Sequence, residues 1–382
     1  MVAEPCEDAS KSRRTTVRSS TKTTQTSVNT SCCSTRHFVH LAVPVLVLYA
    51  ALQVVTRTWA DDSNSLPALN PGTSTPSFSL AIIPDSQNIM EEGNSNLWQQ
   101  TIEWIETNRL SDFTVALGVG DCVNDCANTN QWLTYLHALR CFTNTPFVLA
   151  VGNHDGVSTN RDYARFNHFI SSNFHAAKPW WRAAGHGFLK NGRQQNMFIT
   201  LTNGTWKLLF GTLEFGPTTN QVLWFSNVCA AHPDHLCFLT THSYLNKDGT
   251  LSVDGQIDEA PGISYSPAGL GWRNSCDGRS MFALLRGLPN LRLIVCGHQT
   301  CAPNEAFRTD TSDCGNPIQS QFVNYQCDRY AEGPLAGKYV SRVKIITFGT
   351  NGTGLARTFD VGTMTWTNAI FDHRVNLTGS PQ

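Results

Sequence analysis

The chain has 382 residues, with 28 Lys and Arg against 29 Asp and Glu for a formal net charge of −1. So balanced a chain exerts no long-range pull on nucleic acid or acidic lipid, which excludes nucleic acid as the default partner but not a small phosphate-bearing molecule. The length admits one large domain or two ordinary ones, and 41% hydrophobic residues with 28 Gly suit a globular core with many turns.

Residues 1–36 are rich in Ser and Thr, show no apolar period, and carry Lys11, Arg13, Arg14, Arg18, Lys22 and Arg36. No acid falls between Asp8 and Asp61. Such a segment cannot bury enough apolar surface to order itself, so a disordered tail is expected. Residues 38–56 lack Asp, Glu, Lys and Arg altogether. As a helix they would run about 28 Å, close to the hydrocarbon thickness of a bilayer. A single N-terminal transmembrane signal anchor over 37–57 is therefore expected, with the basic tail cytosolic and the remainder luminal or extracellular. Two other readings fit the same residues. Cleavage after Thr58-Trp59-Ala60 would make the segment a signal peptide and the protein secreted, and the acid-poor start also resembles an organelle transit peptide. Residues 58–77, with Pro67, Pro71 and Pro76, read as a linker to a domain over 78–382.

From residue 78 onward, apolar runs and helical periods alternate. Strands expected over 78–84, 113–119 and 146–151 are separated by helical stretches over 97–108, with Leu97, Ile102 and Ile105 apolar, and over 131–139, with Trp132, Leu133, Leu136 and Leu139. That alternation points to a mainly parallel sheet. Runs over 197–202 and 206–213, on either side of Asn203-Gly204, read as a hairpin. A helix over 220–231, a strand over 236–241, a helix over 277–288 and a strand over 291–296 follow. Residues 343–348 and 355–366 close the chain as antiparallel strands turning at Asp360-Val361-Gly362. Between these elements, 156–196 and 246–280 read as long irregular stretches. Their Trp180, Trp181, His175, His186 and Trp272 would either line a pocket rim or pack locally. The fold class expected is α/β, two sheets face to face with helices outside.

Thirteen Cys, ten of them after residue 60, suggest disulfides in an oxidising compartment, with Cys229 and Cys237 the best local pair. Several buried thiols are the alternative. Cys122 and Cys126 are not spaced as in a zinc ribbon. Glycosylation acceptors occur at Asn203, Asn351 and Asn376, about as many as chance supplies.

Five apolar runs end on residues that ligate metal or move protons. They lead into Asp85-Ser86-Gln87, Gly120-Asp121, Gly152-Asn153-His154-Asp155, His242 and Gly297-His298. If the runs are strands, five carboxyl ends converge on one edge, where α/β folds place their sites. Carboxylate, amide and imidazole together suit a borderline-hard divalent ion. The tetrapeptide at 152–155 is the most specific signal. Its Asn offers an oxygen to a metal, and its His beside a carboxylate can protonate a leaving group.

In this order the motifs resemble the calcineurin-like metallophosphoesterase superfamily, over about residues 78–350. Leu213-Glu214-Phe215-Gly216-Pro217, Thr241-His242-Ser243-Tyr244-Leu245 and Asn324-Tyr325-Gln326 resemble its subgroup with Gln at the third place of the first motif. The resemblance implies a four-layer αββα sandwich of two mixed β-sheets, one or two divalent ions (Mn, Fe or Zn) and a phosphate-ester substrate, monoester or diester. It implies attack on phosphorus by a hydroxide held at the metal. Asp121 would bridge two ions, Asn153, His242 and His298 would complete one site, and Asp85 with Gln87 would serve the other. His154 would protonate the leaving oxygen, with Asp155 orienting it and Asn124 behind them.

Gln87 stands where the first motif usually carries His, and Gly297-His298-Gln299-Thr300 stands where the last is usually Gly-His-x-His. Both missing imidazoles belong to the same ion, so one firm and one weaker site are expected. A degenerate binding or scaffold domain without turnover is the rival reading. A Cys- or Ser-based hydrolase is disfavoured, because no Gly-x-Ser-x-Gly elbow is present.

Overall fold

The computed structural model describes residues 76–108, 111, 113–157, 160–255, 266–300, 302–367 and 372–378. The chain divides after Asp62, and every described residue lies in the second unit, Ser63–Gln382. The expected tail, the transmembrane segment over 37–57 and nearly all of the linker lie outside the described residues. Among the described residues, no helix is long and apolar enough to cross a membrane.

In chain order, β1 (Pro76–Ile83), α1 (Gln87–Glu91), α2 (Ser95–Thr107), β2 (Thr114–Gly118), α3 (Thr129–Leu139) and β3 (Phe147–Leu149) open the fold. Next come α4 (Ala164–Phe169), α5 (Ser172–Ala176), α6 (Pro179–Ala183), β4 (Gly185–Phe188), β5 (Met197–Asn203), β6 (Trp206–Leu213), α7 (Thr219–Ala231), β7 (Leu236–Thr241), α8 (Gly278–Leu285) and β8 (Leu291–Cys296). The remaining strands are β9 (Glu305–Thr311), β10 (Pro317–Val323), β11 (Arg342–Gly349), β12 (Thr353–Asp360), β13 (Thr365–Trp366) and β14 (His373–Asn376).

These strands form two mixed sheets. One runs β13-β12-β11-β1-β2-β3 with β14 also on β12, and the other runs β4-β5-β6-β7-β8-β10-β9. β1, β2 and β3 are parallel while β11 joins β1 antiparallel. In the second sheet β6, β7, β8 and β10 are parallel, flanked by antiparallel hairpins. Buried parallel strands need apolar residues on both faces. β7 supplies them by alternation: Phe238 faces the core shared with the first sheet, and Leu239 faces the core formed with α7 and α8.

Phe78 of β1 stacks on Phe348 at 4.8 Å and lies edge-on to Phe238 of β7 at 6.4 Å, so the two sheets share a core. On the first sheet's other side, Trp104 of α2 stacks on Phe359 of β12 at 4.2 Å. Leu97, Trp98, Thr101, Ile102, Trp104 and Ile105 form one buried stripe of α2, the pattern of an amphipathic helix. Val222 and Phe225 of α7, with Met281 and Leu285 of α8, cover the second sheet. Local chemistry marks the helix starts. Asn128 accepts from the amides of Asn130 and Gln131 at α3, and a Thr218–Gln221 capping box opens α7.

The expected elements recur with ends shifted by a few residues, but the expected strand over 146–151 shortens to three residues. β9, β10 and the helices α4 to α6 were not legible from the pattern. Of the aromatic residues named in the two expected irregular stretches, His175, Trp180, Trp181 and Trp272 are buried, whereas His186 is exposed and stacks on Trp181 at 4.1 Å. His175 and Trp180 pack on Phe147 of β3 at 4.9 and 5.5 Å, and Trp272 is buried against Phe215 at 5.0 Å. Local packing, one of the two expectations, accounts for the four buried residues. The disulfide expectation does not hold for eight of the described cysteines. Cys122, Cys126, Cys141, Cys229, Cys237, Cys276, Cys296 and Cys314 are thiols. Cys229 lies within hydrogen-bond reach of Cys237, and burial pushes its pKa far up. Five of the eight are buried, filling space as small apolar side chains.

Candidate metal centre

Asp121 follows β2 after Gly120, and both have positive φ, +49° and +108°. A side chain on Gly120 would place its Cβ 2.7 Å from His242 Nδ1 and 2.8 Å from the Gly152 amide, so only glycine admits this approach. His298, after β8, also has a positive φ of +84°. Left-handed backbone is rare outside glycine and clusters at functional sites. Here it occurs at two of the residues expected to ligate metal.

Asp121, His242 and His298 are buried, and one donor atom from each lies within 4.8 Å of the other two. Asp121 Oδ2 is 3.1 Å from His242 Nε2, and His298 Nδ1 is 3.1 Å from the same nitrogen. His242 Nδ1 donates to the Val119 carbonyl at 2.9 Å, which leaves Nε2 as the nitrogen facing the cluster. The pocket favours positive charge at this point. Burial opposes a charged His242, yet Asp121 and then Asp85 raise its pKa to about 9. Burial would likewise raise Asp121, but His242, His154 and His298 hold it down to about 2.

The other expected ligands surround this triad with unpaired oxygens. Asp85 Oδ1, Gln87 Oε1 and Asn153 Oδ1 are buried without a hydrogen-bond partner among the described residues. All three are acceptors, and an orphaned buried acceptor is costly unless a donor or cation meets it. Asp85 lies against the triad, its Oδ1 3.8 Å from His242 Nδ1. Burial, reinforced by Asp121 beyond the relief His242 provides, pushes the Asp85 carboxyl well above the usual carboxylate range. Carboxylate and amide oxygens beside two imidazoles are the donor set of a borderline divalent ion. The residues present fit such an ion.

The tetrapeptide after β3 behaves differently from its sequence reading in one respect. His154 is not paired with Asp155. Its Nδ1 lies 2.6 Å from the Asn124 carbonyl, and its backbone amide donates to Asp121 Oδ1 at 2.9 Å. Asp155 instead accepts from the amides of Gly152 at 2.8 Å and Val123 at 3.2 Å, tying the loop after β3 to the loop after β2. Burial and the nearby Asp121 push Asp155 up to about 6. The Gly152 amide lies three residues away and the Val123 amide comes from the neighbouring loop, so the carboxylate is engaged by these two amides rather than by the adjacent imidazole. The orienter of His154 is thus the backbone of Asn124, which no side-chain pattern reveals.

Phe215, Asn324 and Gln326 lie in the stretches that carried the subgroup resemblance, but their roles, and Arg161, were not legible in the sequence. Phe215, after β6, walls the imidazoles, its ring 5.5 Å from His242 and 4.9 Å from His298. Arg161 holds that wall from behind, pairing with Glu214 at 3.1 Å and donating to the carbonyls of Gly216 at 2.6 Å and Arg273 at 2.8 Å. Asn324 Nδ2 donates to Asp85 Oδ2 at 2.8 Å, and Gln87 donates to Gln326.

A sequence model described as calcineurin-like phosphoesterase matches residues 78–301. The chain belongs to the calcineurin-like phosphoesterase family. Across 250 residues the chain is 22% identical to the uncharacterized protein YvnB of Bacillus subtilis (strain 168), covering 65% of the chain and 17% of that protein's length. Among solved structures, its chain is similar to the purple acid phosphatase PPD1 of yellow lupin (Lupinus luteus). There the TM-score is 0.48 at 11% identity, with 80% of this chain and 55% of that one covered. A second likeness is to a serine/threonine phosphatase of Saccharomyces cerevisiae, with a TM-score of 0.32 at 12% identity, covering 80% of this chain and 82% of that one.

Proposed function

We propose that this phosphoesterase hydrolyses phosphoric esters with divalent ions, Mn, Fe or Zn, held at the ends of β1, β2, β3, β7 and β8. One observation carries the reading. A buried Asp121–His242–His298 triad is ringed by three oxygens that have no hydrogen-bond partner among the described residues. Asp121, Asn153, His242 and His298 would hold one ion, and Asp85 and Gln87, sharing Asp121, the other. When bound, the ions polarise phosphoryl oxygens and lower the pKa of a water toward neutrality. His154 has its Nδ1 engaged by the Asn124 carbonyl, which leaves Nε2 to pass a proton to the departing oxygen. Phe215 excludes water from the imidazole side of the site, which strengthens every charge interaction within it. The sheet and helix contacts support reading the whole as a four-layer αββα sandwich.

The test uses purified protein with added Mn²⁺ on a chromogenic phosphomonoester and a phosphodiester. Turnover lost on chelation and restored by metal is expected. An intact, metal-binding protein with no turnover on either ester would instead make the domain a scaffold, the reading that the weak ligands Gln87 and Thr300 favour. We further propose a membrane-anchored protein with this domain luminal or extracellular, supported by the uncharged run over 38–56 and its basic N-terminal flank. Protease protection in intact microsomes should shield the domain, and digestion without detergent would refute that placement.

A further inference from the structure

The segment Asn324-Tyr325-Gln326 after β10 lies outside the five motifs, yet it grips both ligands of the weaker site. Asn324 Nδ2 donates to Asp85 Oδ2 at 2.8 Å and to the His298 carbonyl at 3.2 Å, while its own Oδ1 accepts from the Gln326 amide at 3.0 Å. Gln326 Oε1 accepts from Gln87 Nε2, and the Gln326 carbonyl accepts from Asn88 Nδ2 at 2.8 Å. The consequence is the same on each ligand. One polar end is engaged, Asp85 Oδ2 or Gln87 Nε2, and the other end is an oxygen with no partner, Asp85 Oδ1 or Gln87 Oε1. Asn324, Gln326, Asp85 and Gln87 are all buried.

The segment is itself anchored. Tyr325 donates its hydroxyl to Glu305 Oε1 at 2.6 Å. Glu305 also pairs with the buried Lys344 at 2.5 Å and accepts from Thr358 at 2.5 Å, so residues of both sheets hold it. Gly297 lets Asp85 approach from the opposite side, since a Cβ there would lie 2.6 Å from Asp85 Oδ1.

We propose that Asn324 and Gln326 are positioning residues that build a second cation site from Asp85 and Gln87, replacing by orientation what the missing imidazoles would contribute by donor strength. An amide oxygen is a weak ligand, and a free Gln side chain must also surrender its rotamer freedom to bind. Held beforehand by Gln326, Gln87 presents its oxygen without that loss, the logic by which outer partners tune metal ligands. This inference rests on the metal-dependent reading above.

The test is Mn²⁺ titration calorimetry on the full-length chain and on Asn324→Ala, Gln326→Leu and Gln326→Glu, with near-ultraviolet circular dichroism to confirm folding. Two binding events are expected in the unaltered protein. Gln326→Leu and Asn324→Ala should each weaken the looser event by about 10- to 100-fold while sparing the tighter one. Gln326→Glu, whose carboxylate still accepts from Gln87, should retain it, which a merely structural role would not explain. A looser event unchanged in either folded variant overturns the proposal, and so does a single event in the unaltered protein. No Mn²⁺ binding at all would defeat the metal-dependent reading itself, a separate failure.

Discussion

The two halves of the proposed metal centre are built on different principles. In the first half, strong donors are set by the backbone: the Val119 carbonyl turns His242, and Asp121 and His298 sit on left-handed φ angles at strand ends. In the second half, weaker donors are set by other side chains, Asn324 on Asp85 and Gln326 on Gln87. The first arrangement follows once the strands pair, because backbone amides and carbonyls come with the fold. The second needs a remote segment to arrive in register, 239 residues away in sequence.

The most severe way to break this contrast is to remove the ligand both halves share. Asp121→Ala should abolish both Mn²⁺ binding events and reduce kcat/KM by about 1,000-fold or more, roughly 4 kcal/mol of lost stabilisation. Retention of either event in calorimetry would show that Asp121 is not shared. His154→Ala should lower kcat by at least about 100-fold while metal stoichiometry stays at its unaltered value. A fall in metal content would instead make His154 a ligand.

Sharper separation comes from changing one half at a time. His298→Ala should weaken the tighter ion, whereas Thr300→His should tighten the looser one by about tenfold, equivalent to about 1.4 kcal/mol. Equal affinities in both variants and the unaltered protein would remove the distinction between halves. A control lies in the core. His175 is buried against Phe147, Trp180 and Trp181, and burial lowers its pKa from 6.5 to about 4. Between those values the unfolded chain carries a proton that the folded one refuses, so stability is full above pH 6.5 and falls toward pH 4. The loss is about 3 kcal/mol. His175→Phe should flatten that limb in urea melts at pH 7 and pH 4.5. An acid limb identical to that of the unaltered protein would place the loss elsewhere.

Some of this molecule is legible in its primary structure. The alternation of apolar runs with helical periods located β1, β2, β7, β8 and the helices α2, α3, α7 and α8, because a strand or helix declares itself through its own neighbours. Asp85, Asp121, Asn153, His242 and His298 were visible for a related reason: each ends an apolar run, and a parallel strand delivers its next residue to the carboxyl edge. The family could be recognised from those positions alone.

What the linear pattern could not carry is any partnership between distant residues. The polar character of β9 hid a strand, since its pairing with β10 rather than its own apolar content makes it one. For His175 and Trp180 the sequence could not choose between a pocket rim and local packing, a choice made by Phe147 beside them. His154 found a backbone carbonyl where an adjacent carboxylate had been expected, because Asp155 was already claimed by two amides. Sequence thus determined which donors this protein owns and at which strand ends they stand. Tertiary structure decided which lone pairs are spoken for and which remain for a cation, because hydrogen bonding depends on distance in space and not along the chain.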